Sequence, residues 1–587
     1  MKTLPAVDVA IAGGGWSGLL MAKELGARTA LKIVVLERGG PRARGEYLSG
    51  MDELDYAVRL RMMQDASGET VTLRHHSRQK AFPIRQLASF LPGSGVGGAG
   101  EHWNGITPRF LPDVFRVLSS TREKYGEARL PEDHRLQDWG ITYEELEPYY
   151  VRAETLLGTA GQAGNLRGSP MAGGNIFEGE RSGPFPLPPQ KTPYLSALFR
   201  DAAKSLGFHP YPHPSAIGSK VYTNPDGITR PPCSYCGFCE RFGCMIGAKP
   251  QPTNLLLPVL SRQTNVELRT GCSVRRLAHE SSGNDSRVTG VSYIDGSGEE
   301  VFQPADIVVL ASWTLNNTRL LLLSQLGAAY DPESRRGTAG SNLTHQVSHA
   351  GATLFFDQPL NRFMGSGSAG FAIGDFDGDA FDHAKLPFLR GGTVMVSSYG
   401  SRPIQNFGTV PASVKTRWGS EWKKAAIEHY DRTATVGFLG EHLSYRGNFM
   451  DLDPVYKDRF GDPLLRMTLD WRDNERNMVA FMTGKAAEIA RQMGGKDIIP
   501  ARPLGRYNAV SYQTTHLQGG AVMGSSPETS VVSPYLQHWK APNLFVVGAS
   551  SFPNNGSANP TLTLLALTMR SADAIVGKYL KKPGRIG

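Results

Sequence analysis

Four of the five cysteines fall within twelve residues, at Cys233, Cys236, Cys239 and Cys244, in the spacing C-x2-C-x2-C-x4-C. Thiolates two residues apart can wrap one face of a metal–sulfur cube, and Gly237 between them lets the backbone curl around the sulfurs. Structural zinc sites more often use two cysteine knuckles separated by a longer loop, so the pattern favours iron–sulfur over zinc, with a disulfide pair as the remaining alternative. Cys272 stands alone in a strand-like run over residues 266–274 and reads as a buried core residue. A second pattern lies near the amino terminus, where Gly13, Gly15 and Gly18 form G-x-G-x-x-G between an apolar run over 7–11 and a helical run over 19–25. In that setting Gly13 allows the tight turn, Gly15 lets backbone approach a pyrophosphate, and Gly18 permits close packing of helix on strand. The helix amino terminus favours the phosphate charge, and Glu37, closing the next strand-like run over 32–36, is placed to hold ribose hydroxyls.

The elements that must position these residues recur along the chain. A short buried strand over 306–310 precedes a helical run over 316–324, and a strand over 544–547 leads through Gly548 into a helix over about 561–579. A second glycine cluster over 93–100, including Gly97 and Gly98, runs into Glu101, His102, Trp103, Asn104 and Gly105. Such glycine density implies backbone passing close to something flat or charged, here the same cofactor. Residues 131–222 and 349–508 are richer in aromatics, prolines and turns and read as a substrate domain inserted into that fold. The expected division is therefore a discontinuous cofactor domain of 1–130, 223–348 and 509–587, with 131–222 and 349–508 between its pieces.

Composition narrows the class. With 587 residues, 40% hydrophobic, 20% charged and 67 glycines, the chain can bury a large core, and disorder and coiled coil are excluded. No window approaches the roughly 18 apolar residues of a membrane helix. The excess of 63 Lys plus Arg over 54 Asp plus Glu is scattered, which argues against nucleic acid as a partner. Residues 1–5 run straight into the first strand, leaving no room for a secretory signal, so export would need a partner; a cytoplasmic enzyme would read the same way.

Together with two further motifs, Thr515-His516-Leu517-Gln518-Gly519-Gly520 and Asn559-Pro560-Thr561-Leu562-Thr563, and with the segment from Gly340 through Ser341, Asn342, Leu343 and Thr344 to His345, these patterns resemble the glucose-methanol-choline (GMC) oxidoreductase family. Within it the chain looks most like flavoprotein subunits of bacterial membrane-associated sugar and sugar-acid dehydrogenases. The resemblance implies an α/β (α+β) fold: a Rossmann-like FAD-binding domain with an inserted substrate domain on a mainly antiparallel sheet, as in p-hydroxybenzoate hydroxylase. FAD is then expected rather than NAD, with Val274 and Gly548 beside it as well as Asn104.

The same resemblance places His516 where a histidine takes the hydroxyl proton as hydride leaves for the flavin, and Asn559 at the second catalytic position. A neutral imidazole and an amide donor suit those tasks. Asn559 followed by Pro560 also reads as a helix cap. His102 stands where some members attach FAD covalently; a non-covalent flavin neighbour and a plain loop histidine are the alternatives. The subgroup carries a three-iron (3Fe-4S) cluster on three cysteines. Here Cys239 and Cys244 stand one residue further apart, which leaves open which three bind, or whether all four hold a four-iron cluster. The implied partners are a small subunit with a twin-arginine signal and a multihaem cytochrome c, with the membrane reached only through them, at the periplasmic face of the inner membrane. The implied reaction is oxidation of a secondary alcohol, first of all C2 of D-gluconate to give 2-keto-D-gluconate. A 2-ketogluconate, aldose or polyol dehydrogenase, a pyranose-oxidase-like oxidase, and a non-enzymatic flavin scaffold are the competing readings. Arg109 and Arg446 are the candidates for gripping a substrate carboxylate.

Overall fold

The computed structural model describes residues 1–41, 53–54, 70–85, 90, 92–283, 285–399, 404, 407–509 and 514–587. The β-branched run near the amino terminus is the strand Val7–Ala12, followed by the helix Trp16–Gly26 and the strand Ile33–Leu36. These strands lie side by side and parallel, with Val9 opposite Ile33, and Val266–Arg269 joins on the outer side of Ile33–Leu36. On the other side, Glu300–Leu310 pairs parallel with Val7–Ala12, and Leu544–Val546 pairs parallel with Glu300–Leu310. Val9, Ala10, Ile11, Val34, Val35, Val308, Val309 and Leu310 are all buried, as expected of parallel strands covered on both faces. Burying each of the larger side chains contributes about 1.5–3 kcal/mol.

Glu300–Leu310 is longer than the expected 306–310 because it serves two arrangements. Residues 305–310 complete the parallel sheet, while residues 300–304 pair antiparallel with Asp285–Ile294, which in turn pairs with Ser273–Ser282. The single strand expected over 266–274 is accordingly two strands. Gly271, at φ 70°, turns the chain between Val266–Arg269 and Ser273–Ser282, and its amide donates to the Gly39 carbonyl. Cys272, at that break, is buried as expected.

The second large sheet is antiparallel and has the order Lys496–Pro500, Val347–Phe355, Thr433–Gly440, Gly392–Tyr399, Gly365–Ile373, Pro210–Pro212. The long helix Asp473–Gln492 packs on it through Met478, Met482 and Ala486, all buried. Its strands come from residues 210–212 and 347–500, whereas those of the first sheet come from 2–36, 266–310 and 544–546. The helix Tyr143–Leu157, in the expected inserted segment, packs instead on the carboxy-terminal helix Thr561–Ala574. There Tyr150 and Thr563 share a hydrogen bond of 2.9 Å, and Arg152 pairs with both Glu24 and Asp573. No helix among the described residues is long and apolar enough to cross a membrane.

Gly18 sits where the first helix crosses the turn before it, and a Cβ there would lie well inside van der Waals contact with the Gly13 carbonyl oxygen. Gly18→Ala is therefore expected to cost about 1–3 kcal/mol through overpacking, read as an earlier unfolding midpoint in a thermal or urea melt.

Candidate active site

The carboxyl ends of the parallel strands face the antiparallel sheet across a cavity of about 620 Å³. Its floor is made by the turns at Gly13, Gly15, Ala311 and Gly548, and the opposite wall includes Ser348, Met395, Ser397 and Leu439. This is the crevice at strand ends where open α/β sheets bind their ligands. Gly13, Gly15, Glu37, Gly97, Gly98, His102, Asn104, Val274, Gly548, His516 and Asn559 all line it. Gly18 does not line it; its place is the helix–strand contact already described.

The two glycine loops meet directly. The Gly97 amide donates to the Gly14 carbonyl at 2.7 Å, and Gly15 and Gly97 form an isolated parallel bridge. Side chains are missing where the backbones converge: a Cβ on Gly15 or Gly98 would touch nothing closer than 3.9 and 3.6 Å and would project into a cradle left open. The helix Trp16–Gly26 begins there with no acidic residue in its first turn and no side-chain cap. Its amides are thus available to an anionic group such as a pyrophosphate. Glu37 accepts from the Gly14 amide at 2.8 Å and the Gly39 amide at 2.9 Å, which fixes its carboxylate at the cavity wall. A cradle of this form, anion-binding at one end and bounded by a carboxylate, fits a dinucleotide.

At the other end, the pair Thr344–His345 bridges to Leu517–Gln518 and brings Gln346 beside His516. The Gln346 amide nitrogen donates to the carbonyls of Gly556 at 2.5 Å and Ala558 at 3.1 Å, so its oxygen must face the other way. That oxygen lies 2.6 Å from His516 Nδ1. An oxygen can only accept, so Nδ1 carries the proton and Nε2 carries the lone pair. Asn559 Nδ2 stands 3.4 Å from Nε2 at the cavity surface. Burial, helped by nearby His345, lowers the His516 pKa to about 3, so the imidazole is neutral in this setting. Asn559 makes no capping bond: Pro560 occupies the cap of the helix Thr561–Ala574, and no side chain bonds its first amides. The capping reading of Asn559 is thereby replaced. Gln346 was not singled out in the sequence, where the recognisable segment ends one residue earlier at His345.

The cysteine loop reaches the same cavity. Glu240 and Arg241 line it, and the Arg241 amide donates to the His102 carbonyl at 2.9 Å. Cys239 is buried, Cys233 and Cys244 are half-buried, and all three pack with Ile217, Ile246 and Ala248 in one apolar cluster, while Cys236 is exposed. Backbone amides are directed at the sulfurs: Tyr235 N to Cys233 Sγ at 3.3 Å, and Lys249 N to Cys244 Sγ at 3.4 Å. Burial pushes the Cys239 thiol up to about 12, although a backbone hydrogen bond from Gly367 and the charge of Lys249 act against it. At Gly367 three segments meet closely, since a Cβ there would lie 2.5 Å from the Asn104 carbonyl oxygen and 2.6 Å from Cys239 Cβ. Among the described residues no three His, Cys, Asp or Glu side chains gather round a single ion-sized point, as a zinc site would require.

Neither expected carboxylate grip holds. Arg109 is spent in a bidentate pair with Glu154 at 2.9 Å and a further bond to Glu147 at 3.0 Å. Arg446 donates to the Glu132 carbonyl at the surface and does not line the cavity.

Comparison with known proteins identifies the family. Two family models, both described as GMC oxidoreductase, match residues 140–348 and 444–568. The gluconate 2-dehydrogenase flavoprotein of Pantoea cypripedii is 43% identical over 99% of this chain and 95% of its own length. The fructose dehydrogenase large subunit of Gluconobacter japonicus is 27% identical over 98% of both chains. Among solved structures, pyridoxine 4-oxidase from Mesorbium loti shares the fold, with a TM-score of 0.58 at 18% identity, covering 96% of this chain and 98% of that one. The chain belongs to the GMC oxidoreductase family, whose members are alcohol-oxidising enzymes that bind FAD.

Proposed function

We propose that this chain is the flavin-bearing subunit of a dehydrogenase that oxidises the C2 hydroxyl of D-gluconate to a ketone. The observation that carries the chemistry is the fixed tautomer of His516, with its lone pair on the cavity side next to Asn559. The substrate rests on the 43% identity to the gluconate 2-dehydrogenase flavoprotein. Gly13, Gly15, Glu37, Gly97, Gly98, His102, Asn104, Val274 and Gly548 would hold FAD, which when bound supplies the acceptor for the hydride leaving the carbinol carbon. His516 Nε2 takes the hydroxyl proton, and Asn559 Nδ2 donates to the oxygen as negative charge develops on it. The C–H electron pair and the O–H proton both leave the substrate, and C=O forms.

Cys233, Cys239 and Cys244 would hold a three-iron cluster. They are the three sheltered cysteines; each receives a backbone N–H bond at sulfur, as thiolates require, and Cys236 is exposed. Such a cluster supplies one-electron steps from a two-electron donor to an external acceptor. The acceptor we propose is a multihaem cytochrome c subunit, with a small twin-arginine subunit carrying the complex to the periplasmic face of the inner membrane. A neutral-sugar substrate is the second reading. It is favoured by Asp377, whose carboxylate, bonded by Ser557 and Thr393, lines a small recess shared with Asn559, while Arg109 at the same recess is already paired with Glu154.

Anaerobic addition of D-gluconate should bleach the flavin absorption. Bleaching by aldoses or polyols but not by D-gluconate would transfer the assignment to the second reading. His516→Ala should slow flavin reduction by about 10²–10⁴-fold while FAD stays bound, and Gln346→Leu should cost a smaller part of that factor. Because the His516 pKa lies near 3, its neutral, proton-accepting form is complete above that value, so the rate of flavin reduction should stay level from about pH 8 down to about pH 5. A decline centred near the ordinary imidazole value would contradict the assigned environment. For the cluster, iron analysis should show Cys239→Ser depleted and Cys236→Ser at the wild-type level; equal iron in both would remove the ligand assignment.

A further inference from the structure

Lys249 is fully buried between the cysteine loop and the flavin loop. Its Nζ donates to three backbone carbonyls, those of Trp103 at 2.6 Å, Phe242 at 2.6 Å and Cys239 at 2.9 Å. A neutral amine has two N–H bonds and an ammonium three, so three pure acceptors around one nitrogen demand the charged form. Among the described residues no carboxylate pairs with it, and its own backbone amide points at Cys244 Sγ. An ammonium shut away from water without an anion costs several kcal/mol, and buried charges persist where something of opposite sign offsets them. Glu101, on the same side of the loop, is engaged by Gln251 and Thr253. The sulfurs of Cys239 and Cys244 bear on it most strongly, ahead of the Glu101 carboxylate and of Cys236.

We propose that Lys249 is the built-in counter-charge of an anionic metal–sulfur cluster on these cysteines, holding the cluster and raising its reduction potential. This rests on the cluster reading given above. Each electron such a cluster would accept would add one negative charge, so a fixed cation beside it would stabilise the reduced form more than the oxidised one. Because the same ammonium binds the carbonyl of Trp103, which lines the cavity, the charge stands between the cysteine loop and that cavity.

The test is redox titration of the purified holoenzyme, followed by electron paramagnetic resonance and accompanied by iron and FAD analysis, for wild type, Lys249→Gln and Lys249→Arg. Glutamine keeps two of the N–H donors and removes the charge; arginine keeps the charge. The expected result is that Lys249→Gln shifts the one-electron equilibrium of the cluster about tenfold toward the oxidised form, about 59 mV, while Lys249→Arg stays near wild type. Loss of iron from Lys249→Gln with FAD retained, and iron kept in Lys249→Arg, would equally support the holding role. An unchanged midpoint with full iron in Lys249→Gln, or the same loss of iron in both variants, would overturn the proposal and leave the cluster reading standing. Wild-type enzyme without iron would overturn both.

Discussion

Everything in this molecule depends on backbones approaching one another where no side chain is allowed. Gly14 and Gly97 are hydrogen-bonded across the two glycine loops, and a left-handed Gly13 presses against Ala311. Gly367 lets the antiparallel sheet touch Asn104 and Cys239 at once. Add a methyl group at Gly13 or Gly367 and two elements must separate. The cavity is thus defined by missing atoms as much as by the residues that line it. The cysteine loop shares its wall because a Gly-rich and Ser-rich strand, Gly365–Ile373, leaves room for it.

Within that frame the chemistry is handled without fixed charge at the reacting oxygen. His516 is held neutral by burial, and its tautomer is set by Gln346, whose own orientation is set by two carbonyls. An amide relay of this kind orients the imidazole without adding the permanent negative charge that a carboxylate would bring, which suits the base role proposed for it. Buried charges are held in pairs, such as Arg109 with Glu154 and Arg390 with Glu441, where each partner is bonded to the other.

Much of this was legible in the sequence, for reasons that can be named. The fingerprint Gly13, Gly15 and Gly18 was readable because strand, turn, helix and strand follow one another locally, and the residues fall on Val7–Ala12, Trp16–Gly26 and Ile33–Leu36. His516 and Asn559 were legible as motifs, and the structure brings them within 3.4 Å across 43 residues. Gln346 was not, because an amide acquires its meaning only from the carbonyls of Gly556 and Ala558, far along the chain. The same holds for Lys249, which in sequence is one lysine among many. The arginine guesses failed because a charge alone does not reveal its partner: Glu154 lies a whole helix away from Arg109 in sequence. The strand over 266–274 was misread as continuous because both halves are extended and only the left-handed Gly271 divides them.

The order of the parallel strands along the chain bears on how the protein is made. Glu300–Leu310 is flanked by Val7–Ala12 and by Leu544–Val546, so the central strand finds its last neighbour only near the end of the chain. Gly548, which completes the cradle, and the helix Thr561–Ala574, which covers the first helix, come later still. A polypeptide emerging amino terminus first therefore carries apolar strands without their mates until nearly all of it has been synthesised. Closing so long a loop is slow, and such unpaired edges invite association with other chains. The cofactor cradle cannot form until Gly548 and the start of the helix Thr561–Ala574 have been made, and a bound dinucleotide would then stabilise the one state in which these distant segments have met.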